Sequence, residues 1–235
     1  SKSDFYETPN IEKLANSGLD RVTVSLDAIE DEIVRDISNS SISSSDIIRG
    51  VEAAIKYGLA VKINTVVIKD YNEHQIIPIT EQFYQMGVTV RFIEYMDVGG
   101  TKNWNPQQVV FGEEIRTIIA SKYGKLKPVK QQKYGQVAKR WSLNNGYEIG
   151  FIESISKPFC QSCTRARISA NGKLYTCLFS EHGHDLKSLI TMGADITDLR
   201  DAVIALWSKR TDRYSEVRTI RKLETRPVEM HFIGG

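Results

Sequence analysis

Three times in the first hundred residues a helical segment is closed by a glycine and followed at once by a strand-like run. Gly18 precedes residues 21–27, Gly58 precedes 60–67 and Gly87 precedes 88–96. Glycine after a helix supplies the left-handed backbone that stops it. The helices are predicted over 11–17, from a cap at Ser45 or Asp46 to Gly58, and over 76–86, with a serine-rich connection at 38–45 before the second. Helices and strands alternating at this spacing predict an α/β fold with a parallel sheet or barrel.

The strands carry a second signal. Arg21, Thr23, Ser25 and Asp27 alternate with Val22, Val24 and Leu26, and Lys62 and Asn64 alternate with Val61 and Ile63. Side chains point to opposite faces in turn, so each strand has one apolar and one polar face. Parallel sheets are normally covered on both faces. The polar face is therefore either wetted by solvent or, the reading preferred here, the lining of a barrel interior that binds a charged ligand.

Trp104-Asn105-Pro106 predicts a boundary, giving one domain over residues 1–105 and a second over 106–235. Within the second, a helix is expected over 113–120, strand-like runs at 139–142 and 147–152, and a helix over 198–209. Asn171-Gly172 between short apolar runs at 168–175 predicts a hairpin. Seven Lys/Arg and no acid occur between Lys122 and Arg140, a pattern expected of a solvated face. The net charge of +2 is too small to make nucleic acid the main partner. The longest apolar stretch, near 60–68, is interrupted by Lys62 and Asn64, so no membrane span is expected.

All three cysteines lie in one stretch, Cys160 and Cys163 separated by two residues and Cys177 thirteen residues further on. An odd set at this spacing suits a reducing, cytoplasmic setting. Three thiolates with Arg165 and Arg167 beside them describe a soft metal site lacking one ligand. The spacing leaves two metal chemistries open: structural zinc completed by His182 or His184, and an iron–sulfur cluster with one iron free for substrate.

The segment Phe159-Cys160-Gln161-Ser162-Cys163-Thr164-Arg165-Ala166-Arg167-Ile168-Ser169, followed by Asn171-Gly172-Lys173-Leu174 and Cys177-Leu178-Phe179, resembles the second-cluster motif of the MoaA family. These are the radical S-adenosylmethionine GTP 3′,8-cyclases of molybdenum cofactor biosynthesis. Further similarity runs through Val24-Ser25-Leu26-Asp27, Val61-Lys62-Ile63-Asn64, Arg91-Phe92-Ile93-Glu94-Tyr95-Met96, Ile149-Gly150-Phe151-Ile152 and the terminal Ile233-Gly234-Gly235.

The resemblance implies a partial radical-SAM TIM-like barrel followed by a C-terminal iron–sulfur domain. It implies a [4Fe–4S] cluster on Cys160, Cys163 and Cys177 whose free iron takes the base of GTP. Lys62, Arg91, Arg165 and Arg167 would meet GTP phosphates, and Ser25 and Met96 would meet S-adenosylmethionine. The glycine tail would reach the active site. Implied partners are an electron donor, the next enzyme of the pathway (cyclic pyranopterin monophosphate synthase) and a second copy in a homodimer.

The family also builds a radical-generating [4Fe–4S] cluster on Cys-x3-Cys-x2-Cys near its N-terminus. No cysteine is left here to hold it, and Ser1-Lys2-Ser3 stands where the family reads Thr-Asn-Gly. A chain opening on Ser1 is thus expected to be a fragment, inactive alone, with an unpaired strand edge near 22–26. The competing reading is a non-enzymatic, zinc-stabilised binding module. Another radical-SAM enzyme with an auxiliary cluster is nearer, but it does not account for Arg165-Ala166-Arg167 and the terminal Gly-Gly.

Overall fold

The computed structural model describes residues 8–98, 104–131, 134–217 and 232. They divide into two compact units, the first made of residues 1–95 and 105–156, the second of 96–104 and 157–235.

The first unit is built on a six-stranded sheet. In chain order its elements are α1 (Thr8–Asn16), β1 (Arg21–Ser25), α2 (Asp31–Ser38), α3 (Ser44–Lys56), β2 (Ala60–Val67), α4 (Ile76–Gln85) and β3 (Thr89–Glu94). After residue 105 follow α5 (Gly112–Tyr123), β4 (Lys127–Pro128), β5 (Lys139–Ser142) and β6 (Glu148–Ile152). The strand order is β1-β2-β3-β6-β5-β4. The first four are mutually parallel, while β5 pairs antiparallel with β6 and β4 antiparallel with β5. The expected α/β class is observed. Strands β4–β6 and helix α5, which follow the expected boundary at 105, extend this first sheet, so the compact units divide differently from 1–105 and 106–235.

The glycines act as the sequence predicts: Gly18, Gly58 and Gly87 all have positive φ after their helices. Helix α3 begins earlier than expected because Ser43 caps it, accepting from the Asp46 N–H while the Asp46 carboxylate accepts from the Ser43 N–H. Strand β1 ends at Ser25 instead of residue 27. There the Asp27 side chain takes the place of a backbone acceptor, receiving the Val66 N–H at 2.7 Å. Helix α2 was not anticipated. Its cues are Asp31 and Glu32 in the first turn and a left-handed Asn39 at its end.

One sheet face carries the core. Val24, Ile63, Val67, Val90, Phe92, Ile149 and Phe151 pack with Val51, Ile79, Phe83, Ile115 and Ile119 from the helices, all nearly inaccessible. The burial of each such side chain contributes roughly 1.5–3 kcal/mol. Along β1 the opposite face is exposed at Arg21, Thr23 and Ser25, as is Lys62 on β2. Among the described residues β1 pairs only with β2, so its outer edge is open.

Two buried acids pin the strand ends. Glu94 accepts from the N–H groups of Gly112, Ile155 and Ser156 at 2.8–2.9 Å and from the Ser156 hydroxyl at 2.5 Å. Glu153 pairs with Arg116 at 3.0 Å and Lys139 at 3.3 Å. Gly112 has no alternative here, because a Cβ would stand 2.8 Å from the Glu153 side chain.

The second unit contains a small sheet of β7 (Arg167–Ile168), β8 (Lys173–Tyr175) and β9 (His184–Asp185), with α6 (Lys187–Thr191), α7 (Ile196–Ser208) and α8 (Tyr214–Val217). The expected hairpin is present: Arg167 pairs with Tyr175 and Ile168 with Leu174. Gly172 turns it at φ +79°, and a side chain there would strike Lys187 at 2.7 Å. Among the described residues no helix is long and apolar enough to cross a membrane. The Gly234-Gly235 tail and Ser1-Lys2-Ser3 lie outside the described residues.

Candidate functional site

The sheet register assembles part of the expected site in the first unit. Thr23 is level with Lys62 and Ser25 with Asn64, and Asn64 is in turn level with Arg91. Paired positions share a face, so Ser25, Lys62 and Arg91 lie together on the polar side. The Arg91 guanidinium donates to the Thr23 hydroxyl at 3.2 Å. Burial, then the charges of Arg91, Arg21 and Arg140, holds the Lys62 ammonium below its ordinary range, with Glu148 opposing. Burial also lowers Arg91. Neither Lys62 nor Arg91 pairs with a carboxylate among the described residues. Asn64 Oδ1 and Arg91 Nε are enclosed with no hydrogen-bond partner, which buried polar groups rarely tolerate. Met96 is half-buried two residues beyond β3 and belongs to the second unit.

Asp27, two residues beyond β1, was not among the expected site residues. Burial pushes its carboxyl up to about 6, against the Val66 N–H bond that favours the anion. The signal was its place as the last polar residue of the alternating run.

The second unit holds the cysteines, all half-buried free thiols. Cys160 and Cys163 bracket one tight turn, the Cys163 N–H reaching the Cys160 carbonyl at 3.2 Å. The Arg165 guanidinium donates to Cys163 Sγ at 3.3 Å and covers the Phe159 ring at 5.2 Å. Burial disfavours the Cys163 thiolate, but the Arg165 backbone and side-chain bonds and the Arg210 charge outweigh it, leaving the thiol below its ordinary range. Burial raises Cys177, whose sulfur accepts from the Phe179 N–H at 3.5 Å. Burial, then the neighbouring Arg165, lowers Arg167, and among the described residues no carboxylate pairs with it. Regular strand begins at Arg167, two residues after Arg165.

Arg210 and Asp212 were not anticipated. Arg210 donates to the Cys163 carbonyl at 2.7 Å and pairs with Asp212 at 3.2 Å, while Thr176 donates to Asp212 at 2.6 Å. They tie the segments carrying Cys163 and Cys177 together. Among the described residues no three His, Cys, Asp or Glu side chains converge tightly enough to hold a metal ion.

Comparison with known proteins gives this donor set a context. Residues 88–216 match the Molybdenum Cofactor Synthesis C family, and residues 6–83 match the Radical SAM superfamily. A GTP 3′,8-cyclase of Staphylococcus epidermidis is 42% identical over 227 residues, covering 94% of this chain and 66% of that protein. One from Staphylococcus aureus is 40% identical over 229 residues, 95% of this chain and 67% of its own length. The chain belongs to the GTP 3′,8-cyclase family. A Xanthomonas campestris relative of the same name is 43% identical over 226 residues. The chain spans about two thirds of the length of these family members.

The thiol chemistry fits the family's iron–sulfur centre. The guanidinium at Cys163 favours the anionic sulfur that such a cluster requires, while at Cys177 burial outweighs the N–H···S bond. A cluster binds its thiolates on separate irons, so ligands need not converge as they do around a single ion.

Proposed function

We propose that this chain supplies the GTP-binding part of a GTP 3′,8-cyclase. The supporting observation is two sets of cations without carboxylate partners among the described residues, Lys62 with Arg91 on the sheet and Arg167 beside thiol-bound Arg165. Clustered cations favour a polyanionic ligand, and guanidinium forks match phosphate oxygens. Each is proposed as a contact for the phosphates of GTP. Cys160, Cys163 and Cys177 would hold a [4Fe–4S] cluster, which, when bound, offers an iron to the guanine base. Arg210, through the Cys163 carbonyl, keeps the thiol-bearing turn in place. Ser25, at the end of β1, and Met96, just beyond β3, are proposed contacts for S-adenosylmethionine.

With three cysteines in the chain and all three assigned, radical generation needs a further cluster. An electron donor, cyclic pyranopterin monophosphate synthase as product acceptor and a homodimer are proposed on the family's pattern. No observation favours the zinc module: His182 and His184 are exposed, and His184 lies in β9 opposite Leu174.

Metal analysis tests this reading. Anaerobically purified chain is expected to be brown, with iron and acid-labile sulfide in equal amounts, and to lose both in Cys163→Ala. A colourless protein with stoichiometric zinc would overturn it.

A further inference from the structure

On the polar face of the first unit's sheet the cationic row continues beyond Arg91. Arg91 is level with Gly150, and Gly150 with Arg140. A Cβ on Gly150 would stand 2.9 Å from the Arg91 Cγ and 3.3 Å from the Ala138 Cβ, so the glycine leaves room for the Arg91 side chain beside it. Arg140 is held from two sides: Nη1 donates to Glu148 at 2.7 Å and Nη2 to the Lys130 carbonyl at 3.3 Å. Its Nε is enclosed without a partner, as are Arg91 Nε and Asn64 Oδ1 in the same row.

Of these, Arg91 Nε and Arg140 Nε are donors left unsatisfied, which buried polar groups rarely tolerate. The charges of Arg91, Arg21 and Arg140 all act on Lys62 here, with Glu148 as the opposing anion. Repulsion among clustered cations is relieved by a multiply charged anion.

We propose that Arg140 is a further phosphate contact on this face, offering its guanidinium to a phosphate oxygen, and that Glu148 positions it. The proposal rests on the reading of Lys62 and Arg91 as phosphate contacts. Arg140 thereby widens the sheet-borne site from one suited to a single phosphate to one that spans a polyphosphate.

The test is calorimetric titration of the full chain with GTP, inorganic tripolyphosphate and guanosine. Arg140→Gln is expected to weaken GTP and tripolyphosphate about tenfold and to leave guanosine within about twofold, as loss of one charge-assisted bond requires. Arg140→Lys, which keeps the charge but not the fork, should fall between. Unchanged polyphosphate affinity in Arg140→Gln, with Lys62→Gln and Arg91→Gln both weakened, overturns the role of Arg140 alone. If all three are silent, the phosphate reading of the sheet face fails instead. Should Arg140→Gln not fold, Glu148→Gln decides. It removes the opposing charge yet leaves an acceptor for Nη1, so tripolyphosphate must bind more tightly; unchanged or weaker binding overturns the proposal.

Discussion

The sheet face and the cysteine segment both gather cations, but they are held by different means. On the sheet, Lys62 and Arg91 ride on consecutive parallel strands whose register is fixed by an apolar core on the reverse side. Around the cysteines, regular strand is limited to pairs and triplets of residues, and placement depends on side chains: Arg165 on a sulfur, Arg210 on a carbonyl, Thr176 on Asp212. The first region is positioned by backbone and burial, the second by polar contacts among the groups that would surround a cluster. A rigid platform suits recognition of a charged chain of phosphates. A segment tied by polar bonds gains its remaining order from what it binds.

The largest test of that contrast lies beneath the sheet. Phe92→Ala should destabilise the first unit by about 3–5 kcal/mol, the usual loss for a buried phenylalanine. Urea unfolding followed by circular dichroism would measure it. An effect under about 1 kcal/mol would mean that the core does not fix the cationic row.

A smaller effect tests the charge just beyond β1. Asp27 has its folded carboxyl raised from 3.8 to about 6, so folding favours the protonated acid. Its contribution is complete below the unfolded value and is lost as pH rises from about 4 to 6, up to about 3 kcal/mol. Relative to Asp27→Asn, wild-type stability should therefore fall across that interval and then level off. Parallel pH profiles of the two proteins would contradict the burial of this carboxyl.

In the cysteine region the expected change is smaller and local. Arg210→Ala removes one charge-assisted bond to the Cys163 carbonyl, worth about 1.5–3 kcal/mol. Amide hydrogen exchange around 160–166 should speed up by about tenfold or more in the metal-free chain, without change in β2 or β3. Equal acceleration in both regions would erase the distinction drawn here.

Much of the first region was legible because its signals are local. Gly18, Gly58 and Gly87 mark helix ends, and the alternation of Lys62 and Asn64 with Val61 and Ile63 marks a face. The joining of β6, β5 and β4 to that sheet was not legible, since pairing Arg91 with Gly150 links residues far apart in the chain and leaves no periodic trace. The cysteine motif was read from its spacing and resemblance, yet its supports Arg210 and Asp212 went unseen. Each makes its contact more than thirty residues away.

Electron paramagnetic resonance of the reduced, anaerobically reconstituted chain tests the central claim most directly. Addition of GTP should shift the signal of a cluster bound by Cys160, Cys163 and Cys177, and Arg167→Gln should raise the GTP concentration needed. A cluster signal that GTP leaves unchanged at saturating concentration would contradict the account.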